Sequence, residues 1–288
     1  MNTSALKKIA AKNARIAILE DLGSGDITTK TLGKAKYKIK KAVIKSNENG
    51  ILCGQYWFDN CFKHVQKKYG GTLKIIWAKK DKEKIKKGQK ICEVIAPLQT
   101  ILIAERSSLN FIQVLSGIST KTSSYINKLN NNKIKILDTR KTIPGIRAAQ
   151  KYAVLCGGGN NHRFGLYDQI LIKENHITEN INNMNIFLEN INKKINFKKI
   201  SIEVETLKEL KLVQDYNPKN ILLDNFTITQ IKKACEMIDR NKTTIEISGN
   251  INIKNINKYA KLDIDYISIG DLTKNIDSLD FSMLVNKV

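Results

Sequence analysis

Residues suited to handling an anionic substrate recur at the ends of short apolar runs in the second half of the chain. "IKILD" ends at Asp138 and leads into Thr139-Arg140-Lys141, "QILIK" ends at Lys173, and "ISIEVE" carries Glu203. "ILLD" ends at Asp224, "TIEIS" ends at Ser248 before Gly249-Asn250, and "DYISI" ends at Ile269 before Gly270-Asp271. Adjacent Arg140 and Lys141 supply a planar fork and a compact charge for carboxylate or phosphate. In "CGGGNNHRFGL" three glycines let backbone N–H groups approach an anion, and His162 and Arg163 bring donors to the same place. That segment matches neither G-x-x-x-x-G-K-S/T nor G-x-G-x-x-G, which excludes a nucleoside-triphosphate P-loop and a dinucleotide fingerprint there. Glu203 and Asp224 stand one strand–helix repeat apart, so neighbouring strand ends would let them accept ribose hydroxyls or hold Mg2+ through water. "IEISGN" and "YISIGDLT" each read as a strand running into small residues and then a helix, so Ser248, Gly249, Asn250 and Gly270 form a candidate phosphate cup of backbone N–H groups. His176 reads equally as a site residue or as a loop anchor. His64, on a helix of the first third, reads as structural, and Glu205 shares the facing of Glu203 but falls past the strand end.

Positioning such groups on one rim requires a particular architecture. Apolar runs alternating with stretches of helical length predict repeated strand–helix units and a parallel sheet, buried on both faces, with its chemistry at the carboxyl ends. Six strands are visible, fewer than the eight of a complete barrel, and "KYAVLCGGGNNHRFG" is a candidate for another. An incomplete, about seven-stranded α/β barrel is therefore expected. The first third has a different grammar. "YKIKKAVIKS", "GILCG", "TLKIIWAKK" and "QKICEVIAP", punctuated by glycine turns, predict a small antiparallel sheet. "FDNCFKHVQKKYG" predicts a helix with a glycine stop, and the opening residues predict an amphipathic helix through Leu6, Ile9, Ala10, Ile16 and Leu19. From Thr100 to Leu129 the pattern is again helical, with Leu109, Ile112, Leu115 and Ile118 on one face. The expected division is an N-terminal α/β domain over 1–115, on which 275–288 packs, and a catalytic barrel over 116–274.

Composition narrows the class. With 288 residues and 42% hydrophobic content the chain is an ordinary globular protein with ample core. The opening is no signal peptide and no apolar run reaches membrane-span length, so a cytoplasmic protein without a membrane partner is expected. The five cysteines are odd in number and form no C-x-x-C pair, which argues against a disulfide framework and against zinc. A net charge of +22 invites a nucleic-acid reading. The lysines, however, are spread through "KKDKEKIKKGQK" and "INKKINFKKI" with no binding module, so the charge reads as solvated surface and no specific nucleic-acid partner is expected. A basic surface still attracts polyanionic substrates.

In order, "EDLGSGDITT", "ERSSLNFIQVLSGIST", "ILDTRKTIPG", "KYAVLCGGGNNHRFGL", "ILIKENH", "IEVET", "ILLDNF", "IEISGN" and "YISIGDLTK" closely resemble the signature segments of the quinolinate phosphoribosyltransferase family. The resemblance runs from about residue 15 to the end. It implies the type II phosphoribosyltransferase fold, an N-terminal α/β sandwich with a seven-stranded α/β barrel. It implies a Mg2+-dependent reaction in NAD biosynthesis, in which quinolinate and phosphoribosyl pyrophosphate give nicotinate mononucleotide, pyrophosphate and CO2. It also implies a homodimer in which Arg106, whose role its own position leaves open, reaches the neighbouring subunit's site. Carried over by position, Arg106, Thr139, Arg140, Lys141, His162, Arg163 and Lys173 line the site for quinolinate's carboxylates and the pyrophosphate. Glu203 and Asp224 meet the ribose hydroxyls and, directly or through water, the metal. Ser248, Gly249 and Asn250 with Ile269, Gly270 and Asp271 hold the 5′-phosphate. Lys141, Glu203 and Asp224 are the expected catalytic groups. A transferase of the same fold acting on another nitrogen heterocycle, and a basic nucleic-acid-binding protein on a degenerate scaffold, are the competing readings.

Overall fold

Alternation decides the first sheet. In "IKKAVIKS", Ala42, Ile44 and Ser46 point one way and are buried while Lys41 and Lys45 point the other. The computed structural model describes residues 3–173, 176, 184–194 and 196–286, so Met1 and Asn2 of the opening helix and Glu174-Asn175 of "ILIKENH" lie outside the described residues. The strands of the first third are β1 (Ile39–Ser46), β2 (Gly50–Ile51), β3 (Lys74–Trp77), β4 (Lys84–Ile85) and β5 (Lys90–Pro97). β1 pairs antiparallel with β5 and, on its other side, with the strand Phe281–Asn286, and β3 completes a four-stranded sheet. The helix Gln55–Tyr69 ends at Gly70, whose φ of 75° only glycine adopts easily. It buries Trp57, Phe58, Phe62 and Val65, and Phe58, Phe62 and Val65 join Ile44, Ile91 and Val94 in one core. Each such side chain contributes about 1.5–3 kcal/mol of burial free energy.

The chain divides into two compact units. The first comprises 1–123, 142–158 and 275–288, and the second 124–141 and 159–274. By contacts within the chain the first division falls at 123/124, inside the helix Leu98–Leu129, and Thr142–Gly158 groups with the first unit.

The second unit is a six-stranded parallel sheet of β6 (Lys135–Leu137), β7 (Ile170–Ile172), β8 (Ile200–Val204), β9 (Asn220–Asp224), β10 (Thr244–Ser248) and β11 (Tyr266–Ser268). Its order is β6-β11-β10-β9-β8-β7, so the first strand pairs with the last and the sheet curls into a partial barrel. The expected extra strand is corrected. "KYAVLC" lies in a helix, Arg147–Cys156, and only Asn160 joins the sheet, through a parallel bridge to Leu137. Alanines and long side chains at helical spacing outweigh the single β-branched residue in that stretch. A second correction concerns "IEISGN". No helix follows it directly, and the next helical turn is Ile256–Tyr259. Gly270 does precede a helix, the single turn Asp271–Lys274. Among the described residues no helix is long and apolar enough to cross a membrane.

Four of the five cysteines are buried thiols and Cys235 is half-buried. Within the first unit the sulfurs of Cys53 and Cys156 and a carboxylate oxygen of Asp81 lie within 4.8 Å of one another. Asp81 accepts hydrogen bonds from the Tyr152 hydroxyl at 2.9 Å and the Gln55 amide at 3.3 Å. Burial nevertheless pushes its carboxyl up to about 6 against those bonds. Between about pH 4 and pH 6 the folded state therefore holds a proton that the unfolded chain has released, so stability from this group falls as pH rises through that window and stays reduced above it. The loss is at most about 3 kcal/mol. In urea unfolding, the stability of Asp81→Asn relative to the parent is expected to rise by roughly 1–3 kcal/mol between pH 3 and pH 7.5. The same difference at both pH values would mean that the carboxyl titrates normally.

Candidate active site

Parallel pairing places every strand end of the second unit on one rim, and the cavity there has a volume of about 700 Å3. β6 delivers Thr139, Arg140 and Lys141, the segment after Asn160 delivers His162 and Arg163, and β7 to β10 deliver Lys173, Glu203, Asp224 and Ser248. Strand parity explains the choice. In β10, Ile245 and Ile247 alternate with Glu246 and Ser248, and the latter two face the cavity.

The rim of β6 is locked onto β11. Ile269 donates its N–H to the Leu137 carbonyl at 3.0 Å, Thr273 donates its hydroxyl to the Lys141 carbonyl at 2.8 Å, and the Lys141 N–H donates to the Thr139 hydroxyl at 3.0 Å. A Cβ on Gly270 would stand 3.1 Å from the Lys141 side chain, so glycine keeps the space that this lysine occupies.

Arg163 is buried, and burial followed by the nearby Arg140 charge lowers its pKa, while Asp168 and Glu203 oppose the shift. Two neighbouring guanidiniums repel each other, and an anion between them relieves the repulsion. The Arg163 fork also donates to the Gln169 carbonyl at 3.3 Å. Across the cavity the Lys173 ammonium spans both oxygens of Glu203, at 3.0 and 2.9 Å. Glu203 and Asp224 end adjacent strands, and Asp224 accepts from the Asn225 side chain at 2.9 Å.

Not every sequence candidate meets at this cavity. Gly249, Asn250, Ile269, Gly270 and Asp271 do not line it. The Ile269 side chain is buried, which leaves its backbone to act, and Asp271 accepts from the Tyr125 hydroxyl at 2.6 Å. Arg106 belongs to the first unit, on the helix Leu98–Leu129, where it is exposed and lines a separate cavity of about 330 Å3 with Glu20, Asp21 and Phe111. His176 does both things expected of it: it lines the cavity, and its Nδ1 accepts from the Lys173 N–H at 3.0 Å, holding the loop. His64 sits on the helix Gln55–Tyr69 and Glu205 is exposed past the end of β8. The polar lining residues not anticipated are Glu246, Ser268 and Gln169. A charge inside a strand buried on both faces, two positions before Ser248, was the available signal for Glu246.

The chain's sequence matches the family model described as quinolinate phosphoribosyl transferase, N-terminal domain, over residues 26–116, and the C-terminal domain model over residues 118–284. The chain belongs to the quinolinate phosphoribosyltransferase family. It is similar to a probable nicotinate-nucleotide pyrophosphorylase (carboxylating) of Methanocaldococcus jannaschii, 37% identical across 96% of this chain and 98% of that protein. The corresponding Bacillus subtilis protein is 36% identical across 92% of this chain and 89% of its own length. Among solved structures, the nicotinate-nucleotide pyrophosphorylase of Francisella tularensis superposes with a TM-score of 0.85 at 38% identity, covering 97% of both chains.

Within this family member the turn after β10 depends on one glycine. Gly249 has φ of 95°, and a Cβ there would fall 2.1 Å from the Asn225 side-chain oxygen and 2.8 Å from its backbone nitrogen. Asn225 is itself tied to the Ser248 carbonyl through its N–H at 3.0 Å. Gly249→Ala is expected to lose roughly 2–3 kcal/mol, a fall in Tm of roughly 5–10 °C by circular dichroism. An unchanged melt would show that the turn relaxes without strain.

Proposed function

We propose that this cavity is where the chain carries out its family's reaction, the transfer of phosphoribosyl from phosphoribosyl pyrophosphate to quinolinate with loss of CO2. One observation carries the assignment of the cavity: Arg140, Lys141, Arg163 and Lys173 converge beside the paired carboxylates Glu203 and Asp224. Cations suit a dicarboxylic ring and a departing pyrophosphate, and carboxylates suit a sugar that turns cationic. The substrates are quinolinate and phosphoribosyl pyrophosphate, and the product nicotinate mononucleotide enters NAD biosynthesis.

The roles follow from charge. The ring nitrogen of quinolinate attacks C1 of the ribose, and the bond to pyrophosphate breaks with its electron pair leaving on oxygen. Arg140 and Arg163 hold the carboxylates of the ring, and Lys141 stabilises the charge that builds on the leaving oxygen. Asp224 and Glu203 accept the ribose hydroxyls and favour the developing oxocarbenium ion, with Lys173 keeping the Glu203 carboxylate turned into the cavity. The new pyridinium draws electrons from the adjacent carboxylate. CO2 departs, the bonding pair stays on the ring carbon, and a solvent proton completes the product. Positioning and electrostatics supply the rate, and no covalent nucleophile is needed.

Mg2+ fits this donor set in one way. Asp224 is half-buried and faces the cavity with hard oxygen donors and would hold the ion, whereas both oxygens of Glu203 are spanned by Lys173, so Glu203 would support it indirectly. Bound there with the pyrophosphate, Mg2+ would neutralise part of its charge. Arg106 is proposed to complete the site of a second copy in a cytoplasmic homodimer, a role supported by its exposure on the first unit and by the family resemblance of the "ER…LN" segment.

Release of CO2 from carboxyl-labelled quinolinate tests the reading, with nicotinate run in parallel for pyrophosphate release. CO2 that depends on phosphoribosyl pyrophosphate is expected, and pyrophosphate with nicotinate alone would move the substrate. Lys141→Ala is expected to lower kcat by roughly 100-fold or more with an unchanged fold by circular dichroism, and normal turnover would remove its role. Chelation with EDTA should abolish turnover and added Mg2+ restore it; full activity after chelation would exclude the metal.

A further inference from the structure

Glu246 is a buried charge on the cavity face that the reaction above does not use. It lies on the cavity face of β10, one residue pair below Ser248, and is 2% exposed. Its carboxylate accepts from the Ser268 hydroxyl and from the Asn220 side-chain amide, the latter at 2.9 Å. The third group against it is the His162 imidazole, whose Nε2 stands 3.4 Å away. An ionised carboxylate in an apolar strand persists only where such donors surround it.

The other side of that imidazole shows which nitrogen bears the proton. His162 Nδ1 accepts the Arg163 backbone N–H at 2.7 Å, so in the neutral ring the proton sits on Nε2 and points at Glu246. A second buried carboxylate, Asp138, accepts the His162 backbone N–H at 3.0 Å and the Asn161 side-chain amide. The segment carrying Arg163 is thus held from below by two carboxylates, one on its backbone and one on its ring. The restraint has a purpose, because Arg163 lies near the like-charged Arg140 and without a fixed backbone the two forks would move apart.

We propose that Glu246 is a positioning residue: by selecting the Nε2–H form of His162 it holds the Arg163 amide and sets the Arg163 guanidinium against the substrate's carboxylate. The proposal rests on the reading of the cavity given above, and it gives His162, which lines that cavity, a part in placing Arg163.

Nitrogen-15 NMR of the imidazoles in the ligand-free protein tests the first half without any turnover, and with only three histidines the spectrum is readily assigned. The parent protein is expected to show His162 as the single Nε2–H tautomer. Glu246→Gln, which keeps an acceptor oxygen, should retain it, and Glu246→Met, of similar length but without an acceptor, should lose it. In kinetics Glu246→Met is expected to raise KM for quinolinate about tenfold with a smaller change in kcat and an unchanged KM for phosphoribosyl pyrophosphate, while Glu246→Gln stays near the parent. An Nδ1–H tautomer in the parent, or an Nε2–H tautomer that survives in Glu246→Met, would overturn the proposal. So would variants that lose kcat and both affinities together. Should Glu246→Met not fold, the parent tautomer and the Glu246→Gln kinetics still decide. A parent protein with the expected tautomer and no CO2 release would sink the assigned reaction and leave the Glu246–His162 pairing standing.

Discussion

The pairing of β6 with β11 is the constraint from which the active rim follows. Lys135, Ile136 and Leu137 lie beside Tyr266, Ile267 and Ser268, residues that the sequence separates by most of the barrel. A parallel ladder aligns chain direction as well as position, so both strands present their carboxyl ends on the same side. That alignment puts the Thr139-Arg140-Lys141 turn against Ile269-Gly270, where main-chain and hydroxyl hydrogen bonds fix the Lys141 backbone. Without it, β6, the terminal strand of the sheet, would keep only the bridge from Leu137 to Asn160, and the basic turn would lose its anchor.

Charge in the barrel is arranged in two levels. At the rim, cations predominate, and the repulsion between Arg140 and Arg163 favours binding of an anion there. Below them lie carboxylates, Asp138 and Glu246, each saturated with donors and therefore unavailable to substrate. This order stabilises an anion at the rim because the acidic groups neither compete for it nor repel it at hydrogen-bonding distance. Lys173 and Glu203 bridge the two levels, which keeps a carboxylate near the sugar without giving it away to the basic wall.

Much of this was legible in the chain because the informative residues are punctuation. Lys173, Asp224 and Ser248 stop apolar runs and line the rim, while Asp138 and Gly270 stop runs beside it. The stretch "KYAVLCGGGNNHRFG" read as a candidate strand but forms a helix and one bridge at Asn160, because it has no apolar run of strand type and its alanines follow helical spacing. Glu246 escaped notice for the opposite reason, being inside a run rather than at its end, where only tertiary partners such as Asn220 and Ser268 explain a charge. The loop after β10 was expected to open a helix. Its asparagines instead bond to one another, Asn252 N–H to Asn255 and the Asn255 amide to the Asn250 carbonyl, and so delay the next helical turn to Ile256.

The strand Phe281–Asn286 has a consequence for synthesis. It pairs with β1, so the first sheet to emerge from a ribosome lacks one of its members until Phe281–Asn286 has been made, an interval of roughly 10–50 seconds at ordinary elongation rates. Through that time β1 presents an open edge that other nascent chains could extend. Lys40, Lys41 and Lys45, spaced along that edge, make such pairing electrostatically unfavourable between copies of the same sequence. Part of the lysine content that does nothing for the anion site thus serves the chain before it has finished folding.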